Sequence, residues 1–105
     1  MQNKVKEFNI TRQAHFKPMT PYARLLDIIS EMGELSKEYL KHSKYGSAEF
    51  QMHEDFILEY GDVLYSYLSL ADELGLDANF ALDKVITKYK SRLENYGSMG
   101  SKKEN

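Results

Sequence analysis

Two short acidic patterns are the residues of this chain best placed to do chemistry. Glu31-Met32-Gly33-Glu34 and Glu59-Tyr60-Gly61-Asp62 each set two carboxylates three residues apart. On a helix that spacing brings both to one face, within reach of a shared ion. If the two segments are helices packed antiparallel through the short 42–48 connection, four carboxylates converge near the middle of a bundle. Four such charges repel in a low-dielectric setting unless a cation sits among them. An all-oxygen donor set favours a hard divalent ion, Mg²⁺ or Mn²⁺. A ferritin-like di-iron centre is disfavoured, because it needs Glu-x-x-His and no Glu here has a His three residues later. His15, His42 and His53 show no ligand spacing to one another and read as ordinary surface or interface histidines.

The acids also have a plainer reading, as the solvated faces of amphipathic helices. For Glu31 and Glu34 that reading is well supplied, since Arg24, Lys37 and Lys41 are near enough to pair with them. For Glu59 and Asp62 it is weaker. Residues 45–83 hold nine acids and no Lys or Arg, between an N-terminal stretch of balance +3 and a C-terminal one of +4. Such a middle must meet bases from elsewhere in the fold, a bound cation, or water. Lys84, Lys88 and Arg92 form an i, i+4, i+8 row with Lys90 beside it. The row can neutralise phosphate oxygens, bidentately through Arg, or it can be counter-charge or a solvated face. An acidic metal nest with a basic row suggests a polyphosphate bridged by metal on one side and clamped by Lys/Arg on the other. Walker-type and dinucleotide glycine motifs are absent.

Helices must position these groups. Thr20 suits an N-cap and Pro21 the first helical position. From Tyr22 to about Lys41 the apolar residues Tyr22, Leu25, Leu26, Ile29, Met32, Leu35 and Tyr39 recur in steps of three and four. Lys44-Tyr45-Gly46-Ser47 is a turn. A second long helix is predicted over Glu49–Leu74, with Asp55, Glu59, Asp62, Ser66 and Ser69 as a narrow polar stripe. Gly75 reads as its left-handed stop and Asp77 as the next N-cap, opening a helix over 78–95. A shorter helix is predicted over residues 2–16 through Val5, Phe8 and Ile10, against the poor helix formers Asn9-Ile10-Thr11. Gly33 and Gly61 sit inside the two acidic pairs although glycine costs about 1 kcal/mol in a helix, which suggests close approach of another backbone or a ligand. Leu58, Tyr65 and Leu70 lie off the main apolar stripe, so two sides of the middle helix want partners and self-association is expected.

The expected fold is therefore all-α: an antiparallel bundle of about four helices, a single domain over 1–96 with a disordered tail over 97–105. At 105 residues, 42% of them hydrophobic and 29% charged, one globular domain is the bound. The absence of cysteine excludes a disulfide framework, a thiolate zinc site and cysteine nucleophiles. With no membrane-length apolar run and a polar Met1-Gln2-Asn3-Lys4 start, a cytoplasmic protein is expected, without a membrane partner. No long basic stripe exists and the pI is about 5.9, against binding of a nucleic-acid polymer.

Residues 26–38 (LDIISEMGELSKE), 58–76 (LEYGDVLYSYLSLADELGL) and 88–92 (KYKSR) resemble the MazG-like all-α nucleotide pyrophosphohydrolases, over roughly 20–96. The resemblance implies a helical bundle forming a homodimer or homotetramer that hydrolyses nucleoside triphosphates to monophosphate and pyrophosphate with Mg²⁺. By position, the family's metal ligands carry over to Glu31, Glu34, Glu59 and Asp62. Glu34, or its neighbour Glu38, would take the proton of the attacking water, and Lys84, Lys88 and Arg92 would contact the phosphates. Two departures stand out: Ser30 replaces the first acid of a common EExxE, and Lys90 or Arg92 replaces a substrate-contacting Asn. Phe8, His15 and Phe16 are candidates to stack on a base, with core packing the commoner use of such aromatics. A non-catalytic nucleotide or metal sensor, or a helical oligomerisation module, is the alternative on the same scaffold.

Overall fold

A computed structural model describes residues 1–15 and 17–96. It contains four helices and, among the described residues, no strand: α1 (Gln2–Gln13), α2 (Pro21–Lys41), α3 (Glu54–Glu73) and α4 (Ala78–Tyr96). The tail expected over 97–105 lies outside the described residues, as does Phe16. The chain divides into two compact units, Met1–Gly75 with α1, α2 and α3, and Leu76–Asn105 with α4. Among the described residues no helix is long and apolar enough to cross a membrane.

The helix starts and stops follow local chemistry. Thr20 Oγ1 accepts from the Ala23 N–H at 3.2 Å, and Pro21 fills the first position, where no N–H is needed. Gly75 ends α3 at φ 67°, and Asp77 Oδ1 caps α4 by accepting from the Phe80 N–H at 3.1 Å. α1 keeps Asn9-Ile10-Thr11 helical through tertiary partners: Asn9 Nδ2 donates to Ser69 Oγ at 3.0 Å, and Tyr65 Oη donates to Asn9 Oδ1.

α3 begins at Glu54, five residues later than the predicted Glu49. Three successive residues take positive φ (Lys44 49°, Tyr45 58°, Gly46 85°), and the chain then runs back along the end of α2. There the Gln51 N–H donates to the His42 carbonyl at 3.0 Å. Phe50 stacks on Tyr39 (centroids 4.7 Å, 11° between planes) and meets Phe56 edge-on at 4.9 Å. Helical geometry from Glu49 would remove Phe50 from that aromatic cluster. Packing outweighs propensity here.

α2 and α3 are antiparallel: Arg24 pairs with Glu73, Asp27 with Ser66, and Tyr39 lies near Phe56, so one index rises as the other falls. Val5, Ile28, Leu68 and Ala71 form the buried apolar core, and the buried Ser66 and Ser69 let neighbouring helices approach α3 closely. Arg24, only 4% exposed, is satisfied by a two-pronged contact with Glu73 (3.2 and 3.4 Å), by Asp27 at 3.6 Å and by the Tyr65 ring at 5.7 Å. No buried side-chain nitrogen or oxygen among the described residues lacks a partner. Large apolar side chains remain outside this core: Tyr22, Leu25, Leu26, Ile29 and Met32 follow one stripe of α2, with Ile29 68% exposed, and Leu58 on α3 is 58% exposed.

Candidate metal centre

The antiparallel register sets two acidic stripes against each other. The α2 stripe is Asp27, Glu31, Glu34 and Glu38; the α3 stripe facing it is Asp55, Glu59 and Asp62. Each stripe repeats in steps of three or four, which keeps it on one helical face. Glu31, Glu59 and Asp62 each offer a carboxylate oxygen to a group whose members all lie within 4.8 Å of one another. Glu31 and Glu59 are half-buried, whereas Asp62 is exposed.

The electrostatics follow from this crowding. Partial burial raises the Glu31 carboxyl above its ordinary range, and the charges of Asp62, Asp27, Glu59 and Glu34 push it the same way. Glu59 is raised by partial burial, then by Asp62, Glu34, Glu38 and Asp55. Both groups thereby lose part of their preference for the charged form. Three oxygen donors from two helices could hold a hard divalent cation.

Glu34 is not among the three converging carboxylates. It is exposed, with Oε1 3.9 Å from Lys37 Nζ, a pairing between two solvated side chains that is worth little. Its charge still reaches Glu31 and Glu59. Glu38 lies farther along α2, where Oε2 is 3.1 Å from His42 Nε2. Of the counter-charges considered for Glu31 and Glu34, Lys37 does pair with Glu34, whereas Arg24 serves Glu73 and Asp27. The close approach expected at Gly33 and Gly61 is not made by the described residues, since among them a Cβ at either position would meet nothing within 4 Å. Lys84 and Lys88 are exposed on α4, each ammonium over a ring of its own helix: Phe80 at 5.2 Å and Tyr89 at 5.4 Å. Arg92, on the same row, is half-buried.

Several residues of the site were not singled out from sequence. A cleft of about 230 Å³ adjoins the triad, lined by Arg12, Arg24, Asp27, Glu31, Asp62 and Tyr65 among others. Arg12 Nη1 donates to Tyr65 Oη at 3.2 Å, so a cationic group of α1 stands over the acidic end of the α2–α3 pair. Asp27 accepts from Ser66 Oγ at 2.8 Å, which ties the two stripes together beside the triad. The available signal was Asp27 four residues before Glu31, extending the acidic stripe by one turn. For Arg12 no local signal exists, because its place depends on the docking of α1.

No protein-family model matches the chain, and no solved structure matches it. Over 84 residues it is 32% identical to the uncharacterized protein YpjD of Bacillus subtilis (strain 168), across 77% of this chain and 71% of that protein. With that identity sustained over most of both chains, this protein belongs to the same family as Bacillus subtilis YpjD.

Proposed function

We propose that this chain is a MazG-like, Mg²⁺-dependent nucleotide pyrophosphohydrolase, cleaving nucleoside triphosphates to monophosphate and pyrophosphate. The observation that carries it is the meeting of Glu31, Glu59 and Asp62 within 4.8 Å, with the Glu31 and Glu59 carboxyls held above their ordinary range. Glu31, Glu59 and Asp62 would hold the ion, with Glu34 adding charge from the same face. Bound Mg²⁺, or Mn²⁺, would offset phosphate charge and make the attacking water more acidic. Glu34 or Glu38 takes the proton of that water. The cleft beside the triad, with Arg12 in its lining, offers room and positive charge for a phosphate chain. For Lys84, Lys88 and Arg92 a phosphate role rests on their spacing alone.

Assembly into a homodimer or homotetramer belongs to the same proposal. It is supported by the uncovered stripe of α2, where burying each Leu, Ile or Met side chain contributes about 1.5–3 kcal/mol.

The test is pyrophosphate release from a panel of nucleoside triphosphates with Mg²⁺, comparing the parent with Asp62→Ala. Turnover of at least one triphosphate by the parent, lost in the variant, is expected. No release from any, with Asp62→Ala binding Mg²⁺ as the parent does, would end the assignment. A non-catalytic sensor is favoured by one observation: the candidate base Glu38 is already engaged by His42. It predicts nucleotide binding by calorimetry without turnover.

A further inference from the structure

We infer that Glu38, His42 and Asp55 form a second metal site, for a borderline transition ion of the Zn²⁺ class, where the C-terminal end of α2 meets the start of α3. One donor atom from each residue, an imidazole nitrogen and two carboxylate oxygens, lies within 4.8 Å of the others. Glu38 and His42 are i, i+4 neighbours with Oε2 and Nε2 at 3.1 Å, and both side chains are largely shielded from solvent (21% and 13% exposed). Asp55 arrives from the other helix.

The donor chemistry separates this cluster from the oxygen-only triad. Imidazole suits Zn²⁺, Ni²⁺, Co²⁺ and Cu²⁺, whereas Mg²⁺ takes oxygen and keeps its water. Tetrahedral Zn²⁺ bonds of about 2.0–2.1 Å place neighbouring donors roughly 3.3–3.5 Å apart. The Glu38–His42 contact at 3.1 Å is already near that separation, and Asp55, within 4.8 Å of both, has only to close toward them to complete the set. His42 is also aimed in advance: its ring stacks on His53 at 3.9 Å, 25° from parallel, and that contact holds the imidazole plane.

An ordinary helical Glu–His pair explains two of the three groups. Asp55, exposed on the first turn of α3, adds a third donor, its carboxylate oxygen lying within 4.8 Å of both the Glu38 oxygen and the His42 nitrogen, while its charge also reaches Glu59. A cation offsets that crowding. Three protein donors leave a fourth position for water or another small ligand.

The full chain, freed of metal with a chelator, is titrated by calorimetry with Zn²⁺ in saturating Mg²⁺, and with Co²⁺ followed by visible absorption. One equivalent of Zn²⁺ per chain should bind in the presence of Mg²⁺. Asp55→Asn and His42→Asn should each weaken it by more than the roughly 10–100-fold that even outer-shell partners cost, and Asp62→Asn should leave it unchanged. Co²⁺ should give a ligand-field band that His42→Asn removes. Asp55 is exposed, so Asp55→Asn keeps the test open if the His42 variant fails to fold. Absence of Zn²⁺ binding in the parent, its displacement by Mg²⁺, or its loss in Asp62→Asn with retention in Asp55→Asn would each overturn the site. None of these outcomes depends on nucleotide hydrolysis.

Discussion

Neutralising Glu59 should make the metal-free protein more stable, the reverse of what a structural carboxylate does. Its oxygen lies within 4.8 Å of those of Glu31 and Asp62. At that distance two unit charges repel by about 1 kcal/mol at the dielectric of water and about 3–4 kcal/mol at an effective value near 20. Asp62 is exposed and salt screens it, so the lower figure governs, and two relieved pairs give about 1–2 kcal/mol at low ionic strength. For a domain of this size that is a rise in Tm of roughly 5–10 °C. The pH dependence has the matching sign. Folded-state values for Glu31 and Glu59 lie above the ordinary 4.5, so the native chain binds more protons than the unfolded one. Their contribution is fully present below the unfolded pKa and is lost as pH rises through the raised values. Thermal melts of metal-free parent and Glu59→Gln across pH 4–8 check this: the curves should meet at the acid end and separate with the variant on top. Millimolar Mg²⁺ should lift the parent and not the variant. A lower Tm for Glu59→Gln at neutral pH, or an equal Mg²⁺ response in both proteins, would refute the reasoning.

Removing the buried Arg24 strands Glu73 and Asp27, so Arg24→Ala should cost about 3–5 kcal/mol by denaturant titration. Gly33→Ala and Gly61→Ala add a methyl where the described residues leave nothing within 4 Å. Each should gain up to about 1 kcal/mol in melts of the metal-free chain, and a loss instead would reveal a neighbouring copy packed there. Ile29→Glu puts a charge in the middle of the uncovered α2 stripe, and sedimentation velocity should find a smaller species than the parent. Thr20→Ala deletes the cap of α2 and should cost about 1 kcal/mol in the same melts.

The four helices are legible in sequence because their boundaries are chemical: Thr20-Pro21, Gly75 and Asp77 act through their own side chains or φ preferences. The beginning of α3 is not, since residues 49–53 carry no strong breaker and their extended course depends on Phe50 reaching Tyr39. Three of the four carboxylates singled out by spacing do meet, because i, i+3 periodicity and an antiparallel register are enough to bring them together. Glu34 departs from its partners by following Lys37 outward, a choice that side-chain spacing leaves open. His42 escaped notice because its partners were sought among other histidines, when the relevant neighbours are a Glu one turn earlier and an Asp across the connection. Arg12 becomes a site residue only through the docking of α1, which no local pattern encodes.

That docking has its own consequence. α1 holds to α3 by directional polar bonds, Asn9 to Ser69 and Tyr65 and Arg12 to Tyr65, together with the edge-on contact of Phe8 with Tyr65 and with Val5 as its one buried apolar residue. Polar bonds specify an orientation sharply but resist separation weakly once water competes for them. The first helix should therefore come away as a unit while the α2–α3 hairpin endures, and its amides should exchange with solvent sooner than those of Leu68–Ala71. A group carried on such a helix, as Arg12 is, can be withdrawn and returned without unfolding the rest.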